Sequence, residues 1–275
     1  MHRYRFGNTV IRIENEPEVP AGAYLDVFEV DSASEDITVH YVQGRIAVSD
    51  QAADNGEVIV DGNRVICRYG FLKHAVSYSR KDWCTDYVEP QMDPELRNQK
   101  FFTLNELLFM SGIHEAFLYR NALLLHASYI VHNGTAVIFT APSGTGKSTQ
   151  ASLWEKYKNA EIINGDRVLL YFEDDTLYAG GFSACGSSDV CRNVSAPVKA
   201  IVVLEQGKDN EITVMRKVKT FSSLLAASVY FHWSEEENKL AGDTVMRIMD
   251  SVPVVKFSCT PDEDAVNALN TWLEK

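Results

Sequence analysis

The sequence predicts an α/β protein with a mixed sheet, preceded by a β-rich N-terminal module. Three observations carry this expectation. Short strands punctuated by turn residues fill the chain to about residue 90. Beyond it, helix-period and strand-period segments alternate. Within that second part an apolar strand runs directly into a glycine-rich loop and then into a helix-forming stretch.

In the first part, strands are expected at Thr9–Ile13, Leu25–Val30, Ile37–Val42, Glu57–Val60 and Val65–Arg68, separated by turn signals such as Asn55-Gly56 and Asp61-Gly62. Pro90 and Pro94 flank a stretch with few apolar residues. This marks a boundary, with a module at 1–95 and a larger domain at 96–275. Thr103 and Glu106 have capping-box spacing, and Leu107, Met110, Ile113 and Phe117 recur at helical period, giving a helix over 104–119. Two apolar runs, Leu123–Val131 and Thr135–Thr140, meet at Asn133-Gly134, a strong hairpin signal. The spacing then predicts a helix at 147–158, strands at 161–164, 167–172 and 199–204, a helix near 220–230, and a helix over 235–249 opened by Ser234 and Glu237. A strand at 253–258 and a helix from 261 close the chain, with Thr260 as N-cap, Pro261 at N1 and Glu263 at N3.

Composition narrows the function classes. With 45% apolar residues among 275, the chain can bury a sizeable core. A net charge of −12, from 26 basic and 38 acidic residues, argues against general binding to nucleic acid or to an anionic membrane. No apolar run approaches a membrane span and the first residues lack a leader pattern, so a soluble, unprocessed protein is expected. Cys67, Cys84, Cys185, Cys191 and Cys259 are scattered without a CxxC pair. This favours free thiols in a reducing cytoplasm over a disulfide framework or a zinc knuckle.

The chemistry concentrates at Thr140 to Thr149, which reads Thr-Ala-Pro-Ser-Gly-Thr-Gly-Lys-Ser-Thr. This is a Walker-A-like phosphate loop, in which Ala141 stands where the first glycine of the usual pattern would be. Gly144 and Gly146 let backbone N–H groups turn towards phosphate oxygens, and Ser143, Thr145 and Thr149 complete the cradle. Lys147 can reach the β- and γ-phosphates, and the Ser148 hydroxyl can ligate Mg²⁺. ATP and Mg²⁺ are therefore the expected cofactors. Asp166, after Asn164-Gly165, is either a metal-side or proton-accepting carboxylate or an ordinary turn residue. His126, in an apolar strand, is either a ligand-side group or a satisfied core histidine. Arg192 closes a Gly/Ser-rich segment, 180–193, that reads as a mobile loop. It is either a γ-phosphate arginine or a solvated one.

Read together, Leu-Leu-His126-Ala-Ser, the loop with Lys147 and Ser148, and Ile-Ile-Asn-Gly-Asp166-Arg-Val resemble the nucleotide-binding core shared by HPr kinase/phosphorylase and ATP-dependent phosphoenolpyruvate carboxykinase. The likeness spans about residues 120 to 205. It implies a P-loop kinase core of the phosphoenolpyruvate carboxykinase-like type. Lys147 would lie on the phosphates, Ser148 and Asp166 at the magnesium, His126 near the metal or transferred phosphate, and Asp166 as acid/base. Gly165 replaces the first residue of that family's acidic pair. The Cys- and Ser-bearing segment 180–192 stands where a true HPr kinase has its Arg/Gly-rich segment, so HPr is not the expected substrate. The resemblance implies an HPr-kinase-related phosphotransferase acting on a hydroxyl acceptor, either a serine of a peptide or protein or a small-molecule alcohol. A carboxykinase-like lyase and a non-catalytic nucleotide-binding accessory protein are the alternatives.

Overall fold

The computed structural model describes residues 2–22, 24–79, 87–99, 101–232 and 234–275. Cys84 lies outside the described residues. The chain divides into two compact units, Met1–Arg120 with Tyr230–Asn238, and Asn121–Val229 with Lys239–Lys275. No helix among the described residues is long and apolar enough to cross a membrane.

The first unit contains β1 (His2–Phe6), β2 (Thr9–Glu14), β3 (Ile37–His40), β4 (Val42–Gln43), β5 (Ala53–Asp54), β6 (Ile59–Asp61), β7 (Arg64–Tyr69), β8 (Leu72–Ser79), β9 (Tyr87–Val88) and β10 (Gln91–Met92). Among the described residues they form two sheets, β1-β2-β3-β9 and β4-β10-β8-β7-β6-β5. The β-rich reading holds, with differences in detail. Leu25–Val30 is not a strand. Leu25 and Phe28, three apart, are fully buried while Val27 is 45% exposed, and the chain makes a 3-10 turn over Asp26–Phe28 that meets this spacing. The predicted helix 104–119 is two helices, α1 (Leu104–Met110) and α2 (Ile113–Leu118), because Gly112 takes a left-handed φ of 77° between them. The capping box stands: Glu106 N donates to Thr103 Oγ1 and Thr103 N donates to Glu106 Oε2.

The second unit is built on β11 (Leu123–His132), β12 (Thr135–Thr140), α3 (Lys147–Lys158), β13 (Glu161–Asn164), β14 (Arg167–Glu173), β15 (Thr176–Gly180), β16 (Ser195–Gln206), β17 (Glu211–Val214), α4 (Lys217–Ala227), α5 (Glu235–Ser251, which begins in the first unit), β18 (Val254–Cys259) and α6 (Glu263–Leu273). The sheet is mixed and runs β12-β11-β14-β15-β16-β18-β17. Because β16 also pairs with β12 in parallel, the path closes on itself. The β11–β12 hairpin turns on Asn133 and Gly134, both at positive φ (49° and 74°), the geometry that a two-residue turn of mirror-image type needs.

The sequence does not reveal β15 or β17. The first is the return arm of a hairpin whose turn holds Asp174 at positive φ, and the second is a four-residue edge strand with no buried residue. The last helix starts later than expected. Asp262, not Thr260, is its N-cap and accepts from Ala265 N at 3.1 Å, while Thr260 bonds to Asn210. A carboxylate one residue before two further acids suits the positive end of the helix better than the threonine does.

One core cluster fixes β12 and α3, the two elements that bracket the glycine-rich loop. Phe139 and Trp154 are fully buried with ring centroids 6.4 Å apart, among Phe257 of β18 and Leu269 of α6. Phe139→Ala is expected to lower stability by about 3–5 kcal/mol, measured by urea denaturation, because the cavity left behind cannot collapse between a strand and a helix already in contact. Phe139→Leu should cost clearly less.

Candidate functional site

Four segments separated in the sequence converge on a cavity of about 270 Å³ in the second unit. Its walls are His126 of β11, the loop residues Ser143, Gly144, Gly146, Lys147, Ser148 and Thr149, and the Gly165-Asp166 turn opposite Cys185, Ser187 and Ser188. Every loop residue singled out from the sequence lines it except Thr145, which faces a neighbouring cavity of about 390 Å³ with Gln206 and Thr260.

The loop leaves β12 at Ala141, which is not among the positive-φ residues, so alanine fits where the usual pattern has glycine. Gly144 (φ 78°) and Gly146 (φ 117°) adopt backbone that a side chain would strain. Helix α3 begins at Lys147 with Gly146 as N-cap, no side-chain cap and no acid in its first turn. Its first N–H groups thus receive no bond from a capping side chain, and they sit at the positive end of a 12-residue helix. Lys147 is 8% exposed and its Nζ donates to Ala141 O at 2.9 Å. Burial lowers its pKa from the ordinary lysine value, with Asp166 opposing that shift.

Asp166 reaches the cavity because of strand pairing. β14 pairs with Leu123–His126 of β11 and β13 pairs with Tyr129–Val131, so the Gly165-Asp166 turn sits where β11 changes partner. Ala127 N donates to Asp166 O and Ser128 Oγ to Gly165 O, holding the turn from that side. From the other side the fully buried Asn164 side chain accepts from Asp166 N and Arg167 N, each at 2.8 Å, and donates to Phe182 O and Ala184 O at 2.7 and 3.1 Å. The Asp166 carboxylate faces His126 Nε2 at 3.2 Å through Oδ1 and Arg167 at 2.5 Å through Oδ2. Burial first, then the positive Lys147 and Arg167, depress the His126 pKa. Asp166 pulls the other way.

The segment 180–193 is more tightly held than its glycines and serines suggest. Phe182, Ser183 and Cys185 are buried, Cys191 Sγ donates to Phe182 O, and Arg192 N donates to Ile163 O. A Cβ on Gly165 would lie 2.3 Å from Ser188, and one on Gly186 2.9 Å from the Asp166 carboxyl carbon. Each glycine admits the other segment, and Ser188 takes the space beside Asp166 that a second acid would need. Arg192 does not line the cavity; its guanidinium pairs with Glu161.

Sequence reasoning passed over Asn164, Arg167 and Ser188. Asn164 carried a usable signal, since an asparagine two residues before a turn commonly bonds backbone two positions on. Arg167 and Ser188 carried none, because what they touch is set by strand pairing and by a chain return. Ser148 and Asp166 offer two oxygen donors in one cavity, as suits a hard cation that keeps most of its water.

A protein-family model described as SynChlorMet cassette protein ScmC matches residues 92–252, which include the loop, His126 and Asp166. Among solved structures, the chain is similar to the Hpr(Ser) kinase/phosphatase from Coxiella burnetii at 14% identity and a TM-score of 0.31, over 55% of this chain and 92% of that one. None of the curated proteins matches.

Asn164→Asp is expected to cost about 3–5 kcal/mol in urea denaturation. It removes two donors and places a buried charge against two carbonyl oxygens. Hydrogen exchange at residues 182–185 should quicken in the same variant. In an NMR titration the His126 ring is expected to titrate below its ordinary value of about 6.5, and lower still in Asp166→Asn, because the one group favouring the imidazolium is then gone.

Proposed function

We propose that this chain, which belongs to the ScmC family of SynChlorMet cassette proteins, is an ATP-dependent phosphotransferase that moves the γ-phosphoryl group of ATP to a hydroxyl acceptor. The observation that carries this reading is the convergence of an uncapped helix N-terminus, a buried lysine and an Asp–His pair on one cavity.

In this reading the amides of Gly144 to Ser148 and the end of α3 hold the phosphates, with Lys147 turning from Ala141 O towards the β- and γ-phosphates. The 390 Å³ cavity beside Thr145, Gln206 and Thr260 receives the nucleoside end. Ser148 and Asp166 would hold magnesium, which would supply charge neutralisation on the phosphates. Arg167 and His126 fix the Asp166 carboxylate by its two oxygens. Asp166 then accepts the acceptor's proton. Catalysis rests on positioning, as phosphoryl transfer generally does.

A second reading, a nucleotide-binding protein without turnover, draws on Gly165 and on Ser188 filling the place of a second acid. Two variants separate the readings. Lys147→Ala should weaken Mg·ATP binding in calorimetry by at least about tenfold with the fold intact, and unchanged affinity would remove the phosphate-loop assignment. Asp166→Asn should slow single-turnover transfer by about 10²–10⁴ with a much smaller change in ATP affinity. A parallel loss of magnesium-dependent affinity would make Asp166 chiefly a metal ligand. ATP bound by the wild type with no transfer to any alcohol would favour the non-catalytic reading.

A further inference from the structure

A larger cavity of about 520 Å³ shares His126 with the smaller one, still within the second unit. Its walls are the start of the glycine-rich loop at Thr140 to Pro142, Val203 of β16 and one face of α4. Lys219, Ser222, Ser223, Ala226 and Ala227 recur at spacings of three and four, so they share that face. The helix is fixed against β11 just beside His126: Val229 N donates to Leu124 O at 2.8 Å and Ser228 bridges to Leu125. Leu224 is buried, whereas alanines at 226 and 227 leave the volume that larger side chains would fill.

Charge singles this cavity out. In a chain of net charge −12, no acidic residue among the described residues lines it. Among the described residues its titratable groups are His126 and Lys219. Lys219 has no ion-pair partner among the described residues. Glu205, the carboxylate that senses it, is already held by Lys256 at 2.5 Å. The Ser222 hydroxyl donates to Val218 O, whereas that of Ser223, one turn from Lys219, has no hydrogen-bond partner among the described residues.

We propose that this cavity is the acceptor subsite and that it selects an alcohol bearing a carboxylate, held by Lys219 and Ser223 with its apolar body against Val203, Ala226 and Ala227. The inference rests on the phosphotransfer reading. One ammonium and one hydroxyl match a single negative charge, whereas a dianionic phosphate would leave a charge uncompensated. His126 is the wall common to this cavity and the smaller one, so an acceptor seated here presents its hydroxyl across the imidazole towards Asp166. In the transfer the acceptor oxygen bonds to the γ-phosphorus, the bond from that phosphorus to the β–γ bridging oxygen breaks, the hydroxyl proton passes to Asp166, and ADP leaves.

The test uses the full chain with Mg²⁺ and a nonhydrolysable ATP analogue, and reads binding of two probe pairs by ligand-observed NMR. One pair is an N-acetylated tripeptide ending in serine, with a free carboxyl or as its amide. The other is glycerate against glycerol. At least one carboxylate should bind about tenfold or more tighter than its neutral counterpart, the size of one charge-assisted contact, and the pair that discriminates identifies a peptide or a small molecule as the source. Lys219→Met should abolish the preference and Lys219→Arg should keep most of it, with analogue affinity unchanged in both. Equal binding within both pairs, no binding of either carboxylate, or a preference that survives Lys219→Met would overturn the subsite while leaving phosphotransfer standing. An analogue that does not bind the wild type at all would overturn both.

Discussion

The candidate site depends on one buried amide. Asn164, at the end of β13, has all four of its hydrogen-bonding positions used: its oxygen accepts from Asp166 N and Arg167 N, and its nitrogen donates to Phe182 O and Ala184 O. The first pair of bonds shapes the turn that presents the Asp166 carboxylate. The second ties the segment that forms the opposite wall of the cavity to the same point. A side chain of this shape with both donors and acceptors is needed, since an acid lacks the donors and an aliphatic residue would leave four backbone groups without these bonds. β11 completes the constraint from the other side through Ala127 N and Ser128 Oγ.

Around that frame the charges balance locally. Asp166 is the one carboxylate among three basic-type side chains, with His126 and Arg167 in contact and Lys147 close enough to be felt. The depressed basicity of both His126 and Lys147 has burial as its first cause, so it stems from the walls of the cavity more than from mutual repulsion. The contact between Ser188 and Gly165, and between Gly186 and Asp166, closes the wall without adding charge. A site of this kind can accept an anionic ligand in a strongly acidic protein because the favourable field is local: a helix end, a lysine and an arginine.

Elements with strong local signals were legible in the sequence. The Asn133-Gly134 hairpin, the strand–loop–helix around Lys147 and the Thr103 capping box each depend on residues next to one another, and each formed where expected. Elements defined by a partner were not. β15 and β17 are short, and pairing with β14, β16 and β18 makes them strands. The turn at Asp26–Phe28 answers to burial of two side chains three apart, where a strand was expected. The segment 180–193 read as loose because its own side chains offer little apolar surface. Its order comes from Asn164 and Ile163, about twenty or more residues away.

The sequence by itself determined the mixed α/β class, the β-rich first part and the loop, because these follow from periodicity, turn residues and glycine placement within a few residues. It also brought His126, Lys147 and Asp166 forward as candidates. Only the tertiary structure decided that His126 and Asp166 touch, that Arg167 takes the second carboxylate oxygen, that Ser188 fills the space at Gly165, and that Arg192 turns to Glu161 instead of the cavity. Those outcomes rest on β11 changing partner from β14 to β13 and on the return of a distant segment across that junction. Strand partners and chain returns are settled by burial and by pairing of backbone groups across the whole unit, which no local stretch of sequence encodes.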